Sequence, residues 1–438
     1  MMDYHRYGEK TLLYCSRMGV SECEVCIEER SEKTVTIQKD EINSKREKHE
    51  VTMGLRVFKG KKKGFTAVTL PRDYKDVSSG VITLTGFSEK DEDWESLPLP
   101  KMLSAVETIY DPQIAEITIE DLTEISSLLK SPFPDIFIDS ARITMSVIRT
   151  YIINTHGMDY TFKATKYHIF LSCLPRKGEA SAAMDWALSR KLDIDCEYLA
   201  ETCAGTVKDS LKAKTLKENF KGEGFFSENV CSQVFMHSLA AAVNAESFRR
   251  NVSPFKDKMN ERVASESITV VDDGLLPQGV CSAPFDREGN PCQKTPLIQQ
   301  GVFRTVLHNE YTARQFNTQS TGNAVGSAVT EPLVGITNLI LTPGEHSKEE
   351  IIQNMKKGLY ILGLSGGTDV TTGGFSGVVP HGFYVENGEI KFPARALISG
   401  NSFSSLFSVR LLGREQKPTL EGMYGVPLLV EEINIISG

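Results

Sequence analysis

Several things that this 438-residue chain lacks narrow its possible roles. No apolar run approaches the ~18 residues needed to cross a bilayer. The opening residues, MMDYHRYGEK, hold no apolar stretch of the kind a secretory signal requires, so a cytoplasmic location is expected. Positive charge is not in excess: 49 Lys and Arg face 57 Asp and Glu, a formal balance of −8. That balance argues against a dominant nucleic-acid-binding surface, which needs concentrated Lys and Arg. One basic cluster, Lys59-Gly60-Lys61-Lys62-Lys63-Gly64, lies between two β-like runs and reads as a solvated hairpin turn.

The nine cysteines are odd in number and scattered, which fits reduced thiols rather than a disulfide framework. Cys23 and Cys26 have C-x-x-C spacing, but SECEVCIEE alternates like a strand, where positions three apart point to opposite faces. The eight histidines never fall at H-x-x-x-H or H-E-x-x-H spacing; His237, on an apolar helix near 228–248, reads as a packed or capping residue. The glycines form neither G-x-G-x-x-G nor a P-loop, so nucleotide binding has no support.

What is present describes a soluble globular protein: 40% hydrophobic and 24% charged residues, with length for roughly two or three domains. A short helix is predicted over 3–18, followed by strands at 22–30, 33–38, 50–58 and 64–70 whose short connections require antiparallel pairing. The polar, proline-bearing segment 84–113 reads as a surface excursion. A helical pattern follows near 119–130, then strands turning at His156-Gly157, then a helix over roughly 195–219. The polar run 217–229 is taken as the boundary between an α+β domain at 1–219, a mostly antiparallel sheet with packed helices, and a β-rich domain at 220–438. In the second, PLIQQGVFRTVL and FYVENGEIKF are hairpins by their turn chemistry, and SKEEIIQNMKKGLY opens as a helix with a capping box. Dense hairpins around one or two helices predict a curled sheet or barrel-like α+β domain.

Two motifs invite a chemical reading. Gly363-Leu364-Ser365-Gly366-Gly367 matches the G-x-S-x-G nucleophile elbow, which needs a strand before the serine and a helix after it. A helix is predicted before it and TDVTTGGFSG comes after, so a glycine-rich loop passing close to other backbone is the better reading. Asp272, Asp273, Asp286 and Glu288 can be read as a carboxylate cluster for metal or acid–base work. Strand-end and turn chemistry explains the same acids, and a structural role is favoured.

The stretch Asp272–Asn323 carries the most information. It holds VDDG, a G-x-x-x-x-P-F-D-x-E-G-x-P turn, an I-x-x-G-V hairpin, Y-T-A-R and S-T-G-N, in one order. It resembles the central signature of the PmbA/TldD family, described as modulators of DNA gyrase and as peptidase-type proteins. MGLRVFKGKKKGFTAVT, INTHG and the glycine-rich 366–401 segment extend the resemblance over nearly the whole chain. TldD-type members carry H-E-x-x-x-H on the helix before VDDG, plus a C-terminal cysteine, and bind zinc. Here the six corresponding positions are Ala240, Ala241, Ala242, Val243, Asn244 and Ala245, and GREQKPTLEGMYGVPLL has no cysteine.

The resemblance therefore points to the PmbA/TldE branch. It implies a chain with no metal, and none of its own residues catalytic, beside a TldD-type subunit that supplies zinc. Together they would cleave unfolded or small polypeptides in the cytoplasm. The signature loops suggest Asp273, Thr321, Gly322, Asn323, Gly366 and Gly367 as substrate-binding residues. A homodimeric, non-catalytic peptide-binding or regulatory protein is the alternative, and a hydrolase using Ser365 is a third reading.

Overall fold

The computed structural model describes residues 3–178 and 181–437. Helix α1 (Tyr4–Arg17) leads into three strands, β1 (Glu22–Gln38), β2 (Glu41–Lys59) and β3 (Lys62–Thr69), followed by α2 (Tyr74–Phe87). After a long connection come α3 (Pro112–Glu116), α4 (Ile119–Ser126), β4 (Ile136–Asn154), β5 (Asp159–Pro175), β6 (Ala183–Ser189) and α5 (Cys196–Ser210). The six strands form one antiparallel sheet in the order β3-β2-β1-β4-β5-β6. Side-chain alternation divides it cleanly. Val25, Ile27, Met53 and Leu55 meet α1 and α2 on one face, and Val35, Ile37, Ile143 and Ile169 meet α3, α4 and α5 further along that same face. The opposite face is left for the C-terminal half.

Local chemistry starts these elements where the sequence allows. Asp3 and Asp73 cap α1 and α2, and Thr118 with Asp121 forms a capping box on α4. The four predicted N-terminal strands are in fact three. β1 runs unbroken through 31–32, and β2 begins at Glu41 rather than near 50, because the exposed residues 41–49 meet water on both faces and show no apolar alternation. Their two-residue turn, Lys39-Asp40, takes positive φ at both positions, and Asp40 Oδ1 accepts from the Ile138 amide at 2.8 Å. The predicted hairpin at the lysine cluster is present, with Lys61 and Lys63 reaching Glu92 and Glu331. The 84–113 segment is not merely superficial. Its first residues complete α2, Trp94 stacks on Phe58 with ring centres 3.9 Å apart, and Leu97 is fully buried.

In the C-terminal half, β7 (Lys214–Thr215) and β8 (Phe220–Phe226) precede a broken helix: α6 (Glu228–Cys231), a π turn at Ser232–Met236, α7 (His237–Ala242) and α8 (Ala245–Arg249). Next come β9 (Val270–Asp273), β10 (Lys294–Gln299), β11 (Val302–Phe303), α9 (Glu310–Gln315), β12 (Ala324–Val325), β13 (Leu333–Val334), β14 (Leu339–Leu341) and α10 (Lys348–Gln353). The chain then folds as β15 (Lys357–Ile361), β16 (Ser365–Thr368), β17 (Gly374–Val379), β18 (Gly382–Glu386), β19 (Glu389–Asn401), α11 (Ser402–Ser405), β20 (Val409–Leu412), β21 (Lys417–Pro418), β22 (Met423–Gly425) and β23 (Leu428–Ser437).

The pairing β19-β18-β15-β8-β23 returns to β19, so five strands close into a ring, with β17 and β16 continuing outward to an edge. This is the curled, barrel-like sheet expected. The capping box of Ser347 and Glu350 is present, as is the Asn387-Gly388 turn, with φ of 53° and 76°. The helix ends at Gln353, however, and KGLYI is a buried strand pairing with both β8 and β18.

Candidate functional site

The signature is folded around β9, in the middle of a second six-stranded sheet of order β11-β10-β9-β14-β22-β21. Asp272 ends buried at 1% exposure, accepting from Asn323 Nδ2 at 2.7 Å, the Thr337 amide at 2.8 Å and Thr337 Oγ1 at 2.7 Å. Burial pushes its carboxyl up to about 6, against the pull of those three donors. Asp273 accepts from the Leu275 amide and so starts the following turn. Thr321 Oγ1 accepts from the His308 amide at 2.8 Å and lies 3.1 Å from its carbonyl. Gly322 has φ +73°, and a Cβ there would sit 2.3 Å from the Pro291 carbonyl, so only glycine fits. Asp273, Thr321, Gly322 and Asn323 thus gather beside Asp272, all buried.

Gly366 and Gly367 lie elsewhere, exposed on β16, the last strand of the curled sheet. There Gln233 of the π turn donates to the Leu364 and Gly366 carbonyls at 3.1 and 3.5 Å. Sequence patterning did not single out Gln233, because a π turn inside a helix leaves no period of its own. The strand β15 precedes Ser365, correcting the predicted helix. Ser365 itself opens another strand, β16, so the strand–turn–helix of a nucleophile elbow is not formed.

Asp286, Arg287 and Glu288 form a turn that docks onto the sheet face opposite the helices. Glu24 of β1, fully buried, receives Arg56 at 3.0 and 2.5 Å and Arg287 at 2.9 Å. Arg56 also reaches Glu288 at 3.3 Å, and Glu288 accepts from the Glu310 amide at the start of α9. Burial opposes the Glu24 charge, yet the two guanidiniums outweigh it and hold its carboxyl below the usual range. Asp286 accepts three backbone amides, while burial and the nearby Glu288 push it up to about 8. These two acids are thus taken up by the turn and by the dock between the two halves. Their partners Glu24 and Arg56 carried one overlooked signal, charge in the middle of apolar strands. Gly54 completes the dock, since a Cβ there would lie 1.9 Å from the Ala328 carbonyl.

Cys23 and Cys26 point to opposite faces, Cys23 toward Cys15 of α1 and Cys26 toward Arg287 and Glu24. His237 is exposed, its Nδ1 2.9 Å from the Ser232 carbonyl. The helix predicted as continuous over 228–248 breaks after Ala242. Asn244 caps α8 through the Glu246 amide and donates to the Val334 carbonyl at 2.9 Å. The six positions Ala240–Ala245 therefore span this break with side chains that do not fit a zinc ion. Among the described residues, no three or more His, Cys, Asp and Glu side chains gather as a metal site, and no helix is long and apolar enough to cross a membrane.

A helix-backed antiparallel sheet, a curled sheet and a neighbouring sheet centred on the VDDG strand make up this scaffold, and the chain belongs to the PmbA/TldD family. Residues 224–437 match the PmbA/TldA metallopeptidase C-terminal domain, and residues 23–78 match PmbA/TldA metallopeptidase domain 1. The fold is that of TldE from Thermococcus kodakarensis, with a TM-score of 0.88 over 99% of both chains at 22% identity. A Thermotoga maritima protein described as a modulator of a DNA gyrase superposes with a TM-score of 0.89 at 22% identity, over 99% of this chain and 100% of that one. A metalloprotease of Methanocaldococcus jannaschii is 35% identical over 40% of each chain. The metalloprotease PmbA of Escherichia coli O157:H7 is 28% identical over 57% of this chain and 54% of its own. The matched stretches thus span less than two thirds of these curated relatives.

Proposed function

We propose that this chain is the metal-free, TldE/PmbA-like subunit of a cytoplasmic zinc-dependent peptidase acting on unfolded or small polypeptides. It shapes the chamber and holds peptide while a TldD-type partner supplies zinc. The supporting observation is the Ala240–Ala245 stretch: its only polar side chain, Asn244, is committed to capping α8 and to the Val334 carbonyl. Zinc would supply Lewis acidity in the partner; this chain's part is to bind and orient. An extended peptide can be held by strand addition along β16, where Gly366 and Gly367 present backbone without side chains. Asp273, Thr321, Gly322 and Asn323 fix the loop geometry on the neighbouring sheet.

Co-expression with a TldD-type chain from the same genome, followed by a peptide-cleavage assay and elemental analysis of each subunit, tests the proposal. Cleavage is expected only from the pair, with zinc only in the partner and Ser365→Ala without effect. Near-stoichiometric zinc in this chain alone would sink it. Failure to pair would favour a homodimeric peptide-binding protein, and activity without partner or metal would favour Ser365.

A further inference from the structure

Helix α2 carries a face that nothing else in the chain covers. Val81 and Thr85 turn inward, toward β2 and β3. On the opposite side Asp76, Gly80, Thr83 and Phe87 recur every three or four residues and stand exposed in one stripe, with Leu84 beside it. From Val77 to Phe87 the helix holds no charged residue.

Two features of this stripe have no explanation inside the chain. Phe87 is 84% exposed, the most exposed aromatic side chain among the described residues. Gly80 lies in the helix interior without a positive φ, and a Cβ added there would meet nothing within 4 Å. Glycine at such a place weakens a helix, and here neither backbone conformation nor internal packing requires it. A bare patch of helix beside a projecting ring lets a second helix come close.

The stripe is complementary to itself when reversed. A two-fold axis between Thr83 and Leu84 sets two copies of α2 antiparallel, so that each Phe87 ring enters the space beside Gly80 of the other copy. Asp76 and Lys90 lie about seven residues to either side of that axis, so the reversal brings each to the other's level on the copy. Both are exposed, and neither has an ion-pair partner among the described residues.

We propose that two copies of this chain associate through α2, antiparallel and two-fold symmetric. A second copy is the occupant because shape and charge both close under that single operation. The face lies on the helix side of the N-terminal sheet, away from β16 and from the sheet that holds the signature. Self-association leaves those elements free and does not depend on the peptidase role.

Sedimentation equilibrium of the full chain on its own tests this. A monomer–dimer equilibrium is expected, weakened at least tenfold by Phe87→Ser and by Gly80→Gln. Gly80→Gln should do so without lowering the monomer's Tm, since it puts a better helix former into open space. Asp76→Lys is expected to weaken the dimer, and adding Lys90→Glu to restore it; no restoration would overturn the antiparallel arrangement. A chain that stays monomeric up to about 100 μM would overturn the proposal, as would a dimer indifferent to Phe87→Ser and Gly80→Gln. A monomer that binds anionic lipid vesicles, with binding lost in Phe87→Ser, would overturn it in favour of a membrane surface.

Discussion

The two stretches of the sheet face opposite the helices treat charge in contrary ways. At the covered end, Arg287, Glu24, Arg56 and Glu288 alternate in sign, every contact between 2.5 and 3.3 Å, all side chains at most 5% exposed. Eight residues along the strands, roughly 25 Å away, half-buried Lys166 stands beside neutral His168, with no carboxylate within ion-pair distance among the described residues. Matched charge costs little once desolvated and fixes one geometry, so it suits a permanent dock between the two halves. A half-buried lysine can keep its ammonium toward water, so it needs no countercharge in the fold. The strands, the face and the residue types are shared, and the countercharge is what differs.

Breaking the dock should have the largest effect. Arg287→Ala strands Glu24 with one guanidinium instead of two and frees the Ser327 and Thr330 carbonyls that Arg287 also holds. A loss of about 3–5 kcal/mol in denaturant unfolding is expected. A loss below about 1 kcal/mol would erase the contrast, because the dock would then be no more than a surface pair.

Asp272 is an intermediate case, a buried acid given hydrogen bonds in place of a cation. Its carboxyl is raised from 3.8 to about 6, so the folded chain keeps a proton that the unfolded chain releases. Its stabilising contribution is full below pH ~4 and is lost as pH rises through 6, by about 3 kcal/mol at most. His168 and His308, both lowered to about 4 by burial, act with the opposite sign as pH falls below 6.5. The difference between wild type and Asp272→Asn cancels them. That difference should slope between pH 4 and 6 and flatten above, and a flat difference throughout would show hydrogen bonds alone suffice to keep the carboxylate ionised.

These charge arrangements were the least legible part of the sequence. Local signals carried well: the Asn387-Gly388 turn, the Ser347–Glu350 capping box and the alternation placing Cys23 and Cys26 on opposite faces all report contacts a few residues long. Glu24 and Arg287 meet across 263 positions, and no spacing rule reaches that far. The strand Lys357–Ile361 was hidden for a related reason: it is buried between β8 and β18, so it lacks the polar alternation that marks a half-exposed strand. The signature located the VDDG strand and its clasp, but which of its acids are neutralised, and by what, depends on strands from the other half of the chain.

Removing the unmatched cation should move stability the other way. Lys166→Met keeps the aliphatic stem and discards the charge, and a gain of about 1 kcal/mol is expected by the same unfolding measurement. Opposite signs for Arg287→Ala and Lys166→Met, two cation deletions on one face, would be the clearest expression of the comparison. A destabilised Lys166→Met would mean that water and the neighbouring groups already supply what the ammonium needs.

The smallest effect should come from the exposed end of the same face. Lys48 and Glu50 lie 2.7 Å apart, with side chains 42% and 35% exposed. Lys48 pairs in register with Glu32 on β1, so by distance alone it resembles the dock. Water screens both groups, and holding two long side chains in one geometry offsets what the attraction gives. Lys48→Ala is therefore expected to change stability by no more than about 0.5 kcal/mol, and less at high salt. A loss as large as that of Arg287→Ala would show that charge pairing on this face matters whether or not it is buried. The contrast between the dock and Lys166 would then rest on distance rather than on desolvation.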